Sequence, residues 1–292
     1  MTIKDAIDRA KRMQQVRQQE RQAEYEAGTD RLRERPGELA PSIPVEIRRM
    51  PPVSFDPLQS IEISEAVCWE HRVIASDDHR RQSPQADAAY RLIRGKVRQR
   101  MQKDSWSSFA ISSPRQGDGK TVTTLNLALS IAREKQRPVY VLDLDMRNPS
   151  VCEYLGVKGL RSLTEYFAGD AQPGDVLYQT SIPFFFVAGA LEQVDNASEM
   201  LAGPRLEELL QHIRLRSPDA IVIMDLPPVN VTDEALVVAP RVDAMLVVVA
   251  EGKTQREDLA RTLSALNDYK VAGVIVNRSS DQHAQYYGRY AG

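Results

Sequence analysis

The residues between Ser112 and Thr121 read SSPRQGDGKT, and they hold the densest potential for chemistry in the chain. They follow the apolar run Phe109-Ala110-Ile111 and lead into VTTLNLALSIARE, where Val122, Leu125, Leu129 and Ala132 recur at helical spacing. A strand, a glycine-bearing turn, Gly-Lys-Thr and then a helix is the order that a triphosphate-binding loop requires. Gly117 and Gly119 let the backbone curl so that successive amides face one anion. The run Gly117, Asp118, Gly119, Lys120, Thr121 and Val122 is the expected phosphate-binding segment, with the helix N-terminus adding its free amides. Lys120 can neutralise β- and γ-oxygens, and the Thr121 hydroxyl can ligate Mg²⁺. In the strict pattern G-x-x-x-x-G-K-[ST] the first glycine falls at Pro114, a departure. The plain alternative is an ordinary strand-to-helix turn carrying a surface lysine.

Two further segments supply carboxylates. Val141-Leu142-Asp143-Leu144-Asp145 and Ile221-Val222-Ile223-Met224-Asp225 are apolar strands that end in acid. In an open parallel sheet that end is the ligand-binding edge. Opposite a Lys and a Thr, Asp145 and Asp225 suit a Mg²⁺–phosphate site, since magnesium takes oxygen ligands and retains waters. A single Asp at a strand end reads more simply as a helix cap; three motifs in this chain order favour the nucleotide site.

These residues need a scaffold, and the runs SSFAIS, VYVLD, PFFFVA, AIVIMD, DAMLVVVA and VAGVIVN provide one. They alternate with helical patterns, which predicts an α/β fold: a doubly wound, mostly parallel sheet with helices on both faces. The preceding residues divide by texture. Residues 1–35 carry Ile3, Ile7, Ala10 and Met13 on one stripe, predicting an amphipathic helix that is either a solvated helix or a docking element. Residues 36–82 read as a linker with six prolines between 36 and 57, followed by a short extended segment, Ile61 to Ala75, forming a strand or hairpin. At Ser83-Pro84 a helix should start, with Ser as cap, and the nucleotide domain is expected to span 83–278.

Composition excludes several classes. Thirty-eight Lys and Arg against 40 Asp and Glu leave a net charge of −2, which gives nucleic acid no support as the main partner. No apolar run approaches the roughly 18 residues of a membrane span, and the N-terminus lacks the apolar centre of a secretion signal. Cys68 and Cys152 cannot frame a disulfide scaffold, and His71, His79, His212 and His283 lack ligand spacing. A cytoplasmic location is expected.

Taken together, SSPRQGDGKT, VLDLDMR and VIMDLPP resemble the Walker A, A′ and B motifs of bacterial tyrosine kinases, whose nucleotide fold is akin to that of the MinD and ParA ATPases. The resemblance covers roughly residues 85–292 and includes DAAYRLIRGKV, VDAMLVVV and AGVIVNR. With NASEML and QYYGRY it is strongest toward the autokinases that accompany exopolysaccharide export. It implies ATP and Mg²⁺ as ligands, with Lys120 and Thr121 on phosphate and metal and Asp145 and Asp225 holding the metal. It further implies that Asp143 orients or deprotonates the incoming phenol and that Asn277 contacts adenine. Implied partners are a membrane polysaccharide co-polymerase as activator, further copies of the chain and a cognate tyrosine phosphatase. That activator would bring the chain to the inner face of the plasma membrane.

Tyr286, Tyr287 and Tyr290 fall in the tail, residues 279–292, and in this company they are the expected phosphoacceptors; the plain alternative is a tail that docks its rings on a surface. Relatives use Glu-x-x-Arg-x-x-Arg before the loop for ring assembly; here Arg91 and Arg94 are present but the glutamate position is Ala88, with Asp87 displaced by about 100° around a helix. The rival reading is a MinD/ParA-like ATPase switch without tyrosine transfer. Arg115 at the early loop position, Met-Arg after the A′ carboxylates and the tyrosine tail favour the kinase.

Overall fold

A computed structural model describes residues 57–279. The expected N-terminal helix, the proline stretch up to residue 56 and tail residues 280–292 lie outside the described residues. Among the described residues one eight-stranded sheet forms the centre: β1 (Gln59–Ile61), β2 (Ser108–Ser112), β3 (Val139–Asp143), β4 (Tyr178–Thr180), β5 (Phe185–Ala188), β6 (Ile221–Asp225), β7 (Met245–Ala250) and β8 (Val271–Asn277). Their spatial order is β1-β4-β5-β3-β6-β2-β7-β8. From β5 through β8 neighbouring strands run parallel, as the continuous apolar runs predict. β4 is antiparallel to β5 and carries β1 beside it, a short reversed edge that three-residue strands did not announce.

Every residue of β2, β3, β6 and β7 is buried, so both sheet faces must be covered. One cluster packs Tyr140, Leu142, Met224 and Val247 with Leu206, Leu209 and Ile213; the other packs Phe109, Ile111, Val141 and Ile223 with Leu125, Leu129 and Val97. Alternate residues of one strand thus serve opposite cores.

Residues 61–75 depart from the expected strand or hairpin. β1 is followed by helices α1 (Glu65–Glu70) and α2 (Asp77–Gln82). Ser64 accepts from the Val67 amide and Ser76 from that of His79, each with acid in the first turn, so capping decides for helix here. The expected boundary at residue 83 falls within a packed region: Val73 and Ile74 are buried, the Ile74 amide donates to Asn126 Oδ1 (2.7 Å), and Asn126 Nδ2 donates to Arg72 O (2.9 Å).

Helix α3 (Pro84–Asp104) begins at the expected proline, but the Ser83 side chain makes no capping bond. α3 lies on α4 (Lys120–Ala132), the helix that follows the phosphate loop. Arg94 reaches Ser130 O (2.7 Å), and Arg94 and Arg98 both engage Glu134, at 3.1 and 2.7 Å. Asp87 is buried and pairs with Arg80 and Arg91 within the chain, both at 3.1 Å. Among the described residues no helix is long and apolar enough to cross a membrane, and Cys68 and Cys152 are buried free thiols.

Candidate active site

Parallel β2, β3 and β6 deliver the segments after Ser112, Asp143 and Asp225 to one edge of the sheet. β3 and β6 are in register with Asp143 opposite Asp225, which places two carboxylates side by side. The loop after β2 curls through Gly117 (φ +81°) and Gly119 (φ +92°), conformations that glycine adopts freely. Gly119 is the N-cap of α4, and no side chain caps this helix, so its first amides remain open toward an anion.

Lys120, Thr121, Asp145 and Asp225 converge as expected. Lys120 Nζ lies 2.8 Å from Asp145 Oδ2 and 3.2 Å from Asp225 Oδ2. Thr121 Oγ1 donates to Asp225 Oδ2 at 2.5 Å. All four side chains are buried. Burial alone would lower the Lys120 ammonium, but the Asp225 and Asp145 carboxylates outweigh it and hold the group above its ordinary value. The Asp145 carboxyl is raised, by burial first and against the pull of Lys120.

Asp143 sits among them but faces the backbone. Its Oδ2 accepts from the amides of Ser150 and Val151, both at 2.9 Å, and its Oδ1 from Asp145 N at 3.2 Å. Burial, then the charge of Asp225, pushes this carboxyl up to about 8. Asp118 turns inward: it accepts from the Arg115 amide (3.0 Å) and from Thr254 Oγ1 (2.9 Å). Val122 is half-buried on the first turn of α4. Asn277, at the end of β8, donates from Nδ2 to Asp118 O (3.1 Å), so it props the loop. Tyr286, Tyr287 and Tyr290 lie outside the described residues.

Some contributors were not anticipated. Thr124 Oγ1 lies 3.1 Å from Asp225 Oδ1 and 2.9 Å from Lys120 O; its spacing of three from Thr121 on one helix face was the available signal. Ser150 Oγ donates to Thr121 Oγ1 (3.1 Å) and has no such signal. Arg115, expected at an early loop position, pairs with the buried Asp258 at 2.6 Å.

Three carboxylates face one lysine, so the pocket carries surplus negative charge that a divalent cation would offset. Among the described residues no three His, Cys, Asp or Glu side chains form a self-sufficient metal cage. Mg²⁺ binds through one or two carboxylates, a hydroxyl and the phosphates of its nucleotide. The oxygen donors Thr121, Asp145 and Asp225 match that chemistry.

Comparison with known proteins agrees. The tyrosine-protein kinase CpsD of Streptococcus agalactiae is 27% identical over 186 residues, 62% of this chain and 80% of that protein. The tyrosine-protein kinase ptk of Acinetobacter johnsonii is 29% identical over 167 residues, 57% of this chain but only 22% of that protein. In structure, the kinase domain of Escherichia coli tyrosine kinase ETK superposes with a TM-score of 0.64 at 23% identity, covering 76% of this chain and 91% of that one. The resemblance to bacterial tyrosine kinases is thereby borne out. The family model described as ParA, NUBPL iron-transfer P-loop NTPase, matches residues 106–286. A match over more than half of the chain, carried by a sheet and loop of this form, makes the chain a member of the ParA family of P-loop NTPases.

Proposed function

We propose that the chain is an ATP-dependent protein-tyrosine kinase that phosphorylates its own Tyr286, Tyr287 and Tyr290. The observation that supports this most directly is the Lys120 ammonium shared between Asp145 and Asp225 beside an uncapped helix start. In this arrangement the cationic and anionic halves of a phosphoryl-transfer site neutralise each other until Mg·ATP arrives.

Binding of the triphosphate draws Lys120 from Asp145 onto β- and γ-oxygens, while the amides of residues 117–122 cradle the phosphates. Thr121, Asp145 and Asp225 would hold Mg²⁺, which supplies charge neutralisation across the phosphates when bound. Thr124 keeps Asp225 oriented through Oδ1. The phenol oxygen attacks the γ-phosphorus as the bond to the ADP oxygen breaks, and the phenol proton passes to Asp143. Asp143 must be ionised to take that proton, and the nearby Lys120 ammonium and a bound Mg²⁺ favour its charged form. The three backbone amides fix the orientation of Asp143 and leave Oδ1 a lone pair for the phenol. The transition state is loose, and positioning outweighs basicity.

The resemblance to exopolysaccharide-associated autokinases extends the proposal. The phosphorylated tail regulates polysaccharide polymerisation and export, with a membrane co-polymerase as activator, self-association of the chain, and a tyrosine phosphatase resetting the tail. The chain acts in the cytoplasm at the inner face of the plasma membrane.

Incubation with Mg·ATP followed by intact-mass and peptide mapping tests this. Increments of one phosphate each, confined to the peptide holding Tyr286, Tyr287 and Tyr290, are expected, and changing all three to Phe removes the label. ATP turnover with no mass increment, even with the activator present, would establish the ATPase-switch reading instead.

A further inference from the structure

One short segment outside the nucleotide motifs touches two helices that carry the site's polar groups. α1 with its flanks, residues 64–74, precedes the expected domain start at 83 and the family match over residues 106–286. Its far end is tied to α4: Asn126 takes the Ile74 amide on Oδ1 (2.7 Å) and gives Nδ2 to Arg72 O (2.9 Å). The first turn of α4 holds Lys120 and Thr121.

The same segment grips α5 (Val151–Leu155), the helix that follows the acidic turn after β3. The Ser64 amide donates to Leu155 O at 2.9 Å, which satisfies a carbonyl left open at the end of the helix. Cys68, Val151 and Leu155 share one buried cluster. Gly156 (φ +69°) permits the close approach, since a Cβ there would stand 2.6 Å from Ser64 Cβ and 3.1 Å from Val67 Cβ. The His71 ring lies on the Tyr154 ring, with centroids 4.2 Å apart and planes within 13°.

The start of α5 is where this packing meets the chemistry. The amides of Ser150 and Val151 hold Asp143 Oδ2, and Ser150 Oγ meets Thr121 Oγ1. A five-residue helix without a side-chain cap has no stability of its own, so its place is set by what it packs against. We infer that α1 is a brace that positions Asp143 for phosphoryl transfer, with His71, seated on Tyr154, as its positioning residue. The inference rests on the kinase reading for the role of Asp143 and adds a contributor from outside the nucleotide motifs.

His71→Ala in the full chain removes the stack without emptying the core, because both rings are only half-buried. Amide exchange of the nucleotide-free chain, read by mass spectrometry, should quicken about three- to tenfold in the peptide of residues 148–156, the factor an aromatic pair supplies. Exchange in β7 should not change. With Mg·ATP, kcat for phosphate transfer should fall by a similar factor while KM for ATP stays within about twofold, since the loop amides and Lys120 are untouched. His71→Phe, which keeps a ring on Tyr154, should restore both the exchange and kcat. Unchanged exchange at 148–156, exchange raised equally in β7, or faster local exchange with kcat unaltered overturns the inference and leaves the kinase reading standing. Should the unaltered chain transfer no phosphate, the kinase reading falls, and the brace on α5 is decided by exchange alone.

Discussion

Gly119 is the residue where loop, helix and last strand meet, and replacing it with alanine has a cost that the structure allows to be worked out. Its φ of +92° lies where an L side chain is strained, at about 1–2 kcal/mol. An added Cβ would also stand 2.0 Å from Asn277 Nδ2 and 3.3 Å from Asn277 Cγ. Asn277 must therefore swing away and give up its 3.1 Å bond to Asp118 O, a further loss of about 1 kcal/mol. Gly119→Ala should destabilise the chain by about 2–3 kcal/mol in urea unfolding. Asn277→Ala alone should cost about 1 kcal/mol. In the double variant the clash is gone and the bond is already lost, so the total should stay near 2–3 kcal/mol rather than the additive 3–4. A coupling of about 1 kcal/mol is the signature. Strict additivity, measured with errors below half a kcal/mol, would refute the claim that Asn277 braces the loop by touching Gly119.

Three other outcomes follow from the same geometry. Because the folded Asp143 carboxyl is raised to about 8, well above its unfolded value, the folded state holds the extra proton; stability from this group is full below about pH 4 and is lost as pH rises through 8. The nucleotide-free chain should lose Tm progressively as pH rises from about 4 to about 8, the window in which only the folded state holds the Asp143 proton, and Asp143→Asn should flatten the slope. Lys120→Met should abolish nucleotide retention and, by stranding buried Asp145 and Asp225, cost about 3–5 kcal/mol in chemical denaturation, with less lost at lower pH because the raised Asp145 carboxyl takes up a proton more readily. Thr124→Val, which removes the 3.1 Å contact to Asp225 Oδ1, should cost about 1.5–3 kcal/mol and slow phosphate incorporation measured by mass.

The nucleotide edge was legible in the sequence because its parts are local. Strand, glycine turn, Gly-Lys-Thr and helix occur without interruption, and a carboxylate at the end of an apolar run announces its own position. The pairing of Asp143 with Asp225 depended on β3 and β6 being neighbours, which chain order does not reveal. Contacts that join distant positions left no trace: Thr254 with Asp118 across 136 residues, Arg147 with Glu234 across 87. In residues 61–75 the apolar alternation of IEISEAV pointed to a strand, and only the first part obeyed, because Ser64 and Ser76 cap helices and Cys68 turns into the core. Asp87 offers a related lesson. Its offset from the expected glutamate position matches its use, since Arg80 and Arg91 occupy both its oxygens within the chain.

The end of β8 has a mechanical implication. Arg278, in a left-handed conformation (φ +57°), turns the chain out of the sheet while its guanidinium holds Gly117 O at 2.9 Å. On the kinase proposal, the segment that carries the acceptor tyrosines follows a residue anchored to the glycine turn, so a shift of that turn on ATP binding would be felt at the root of the tail.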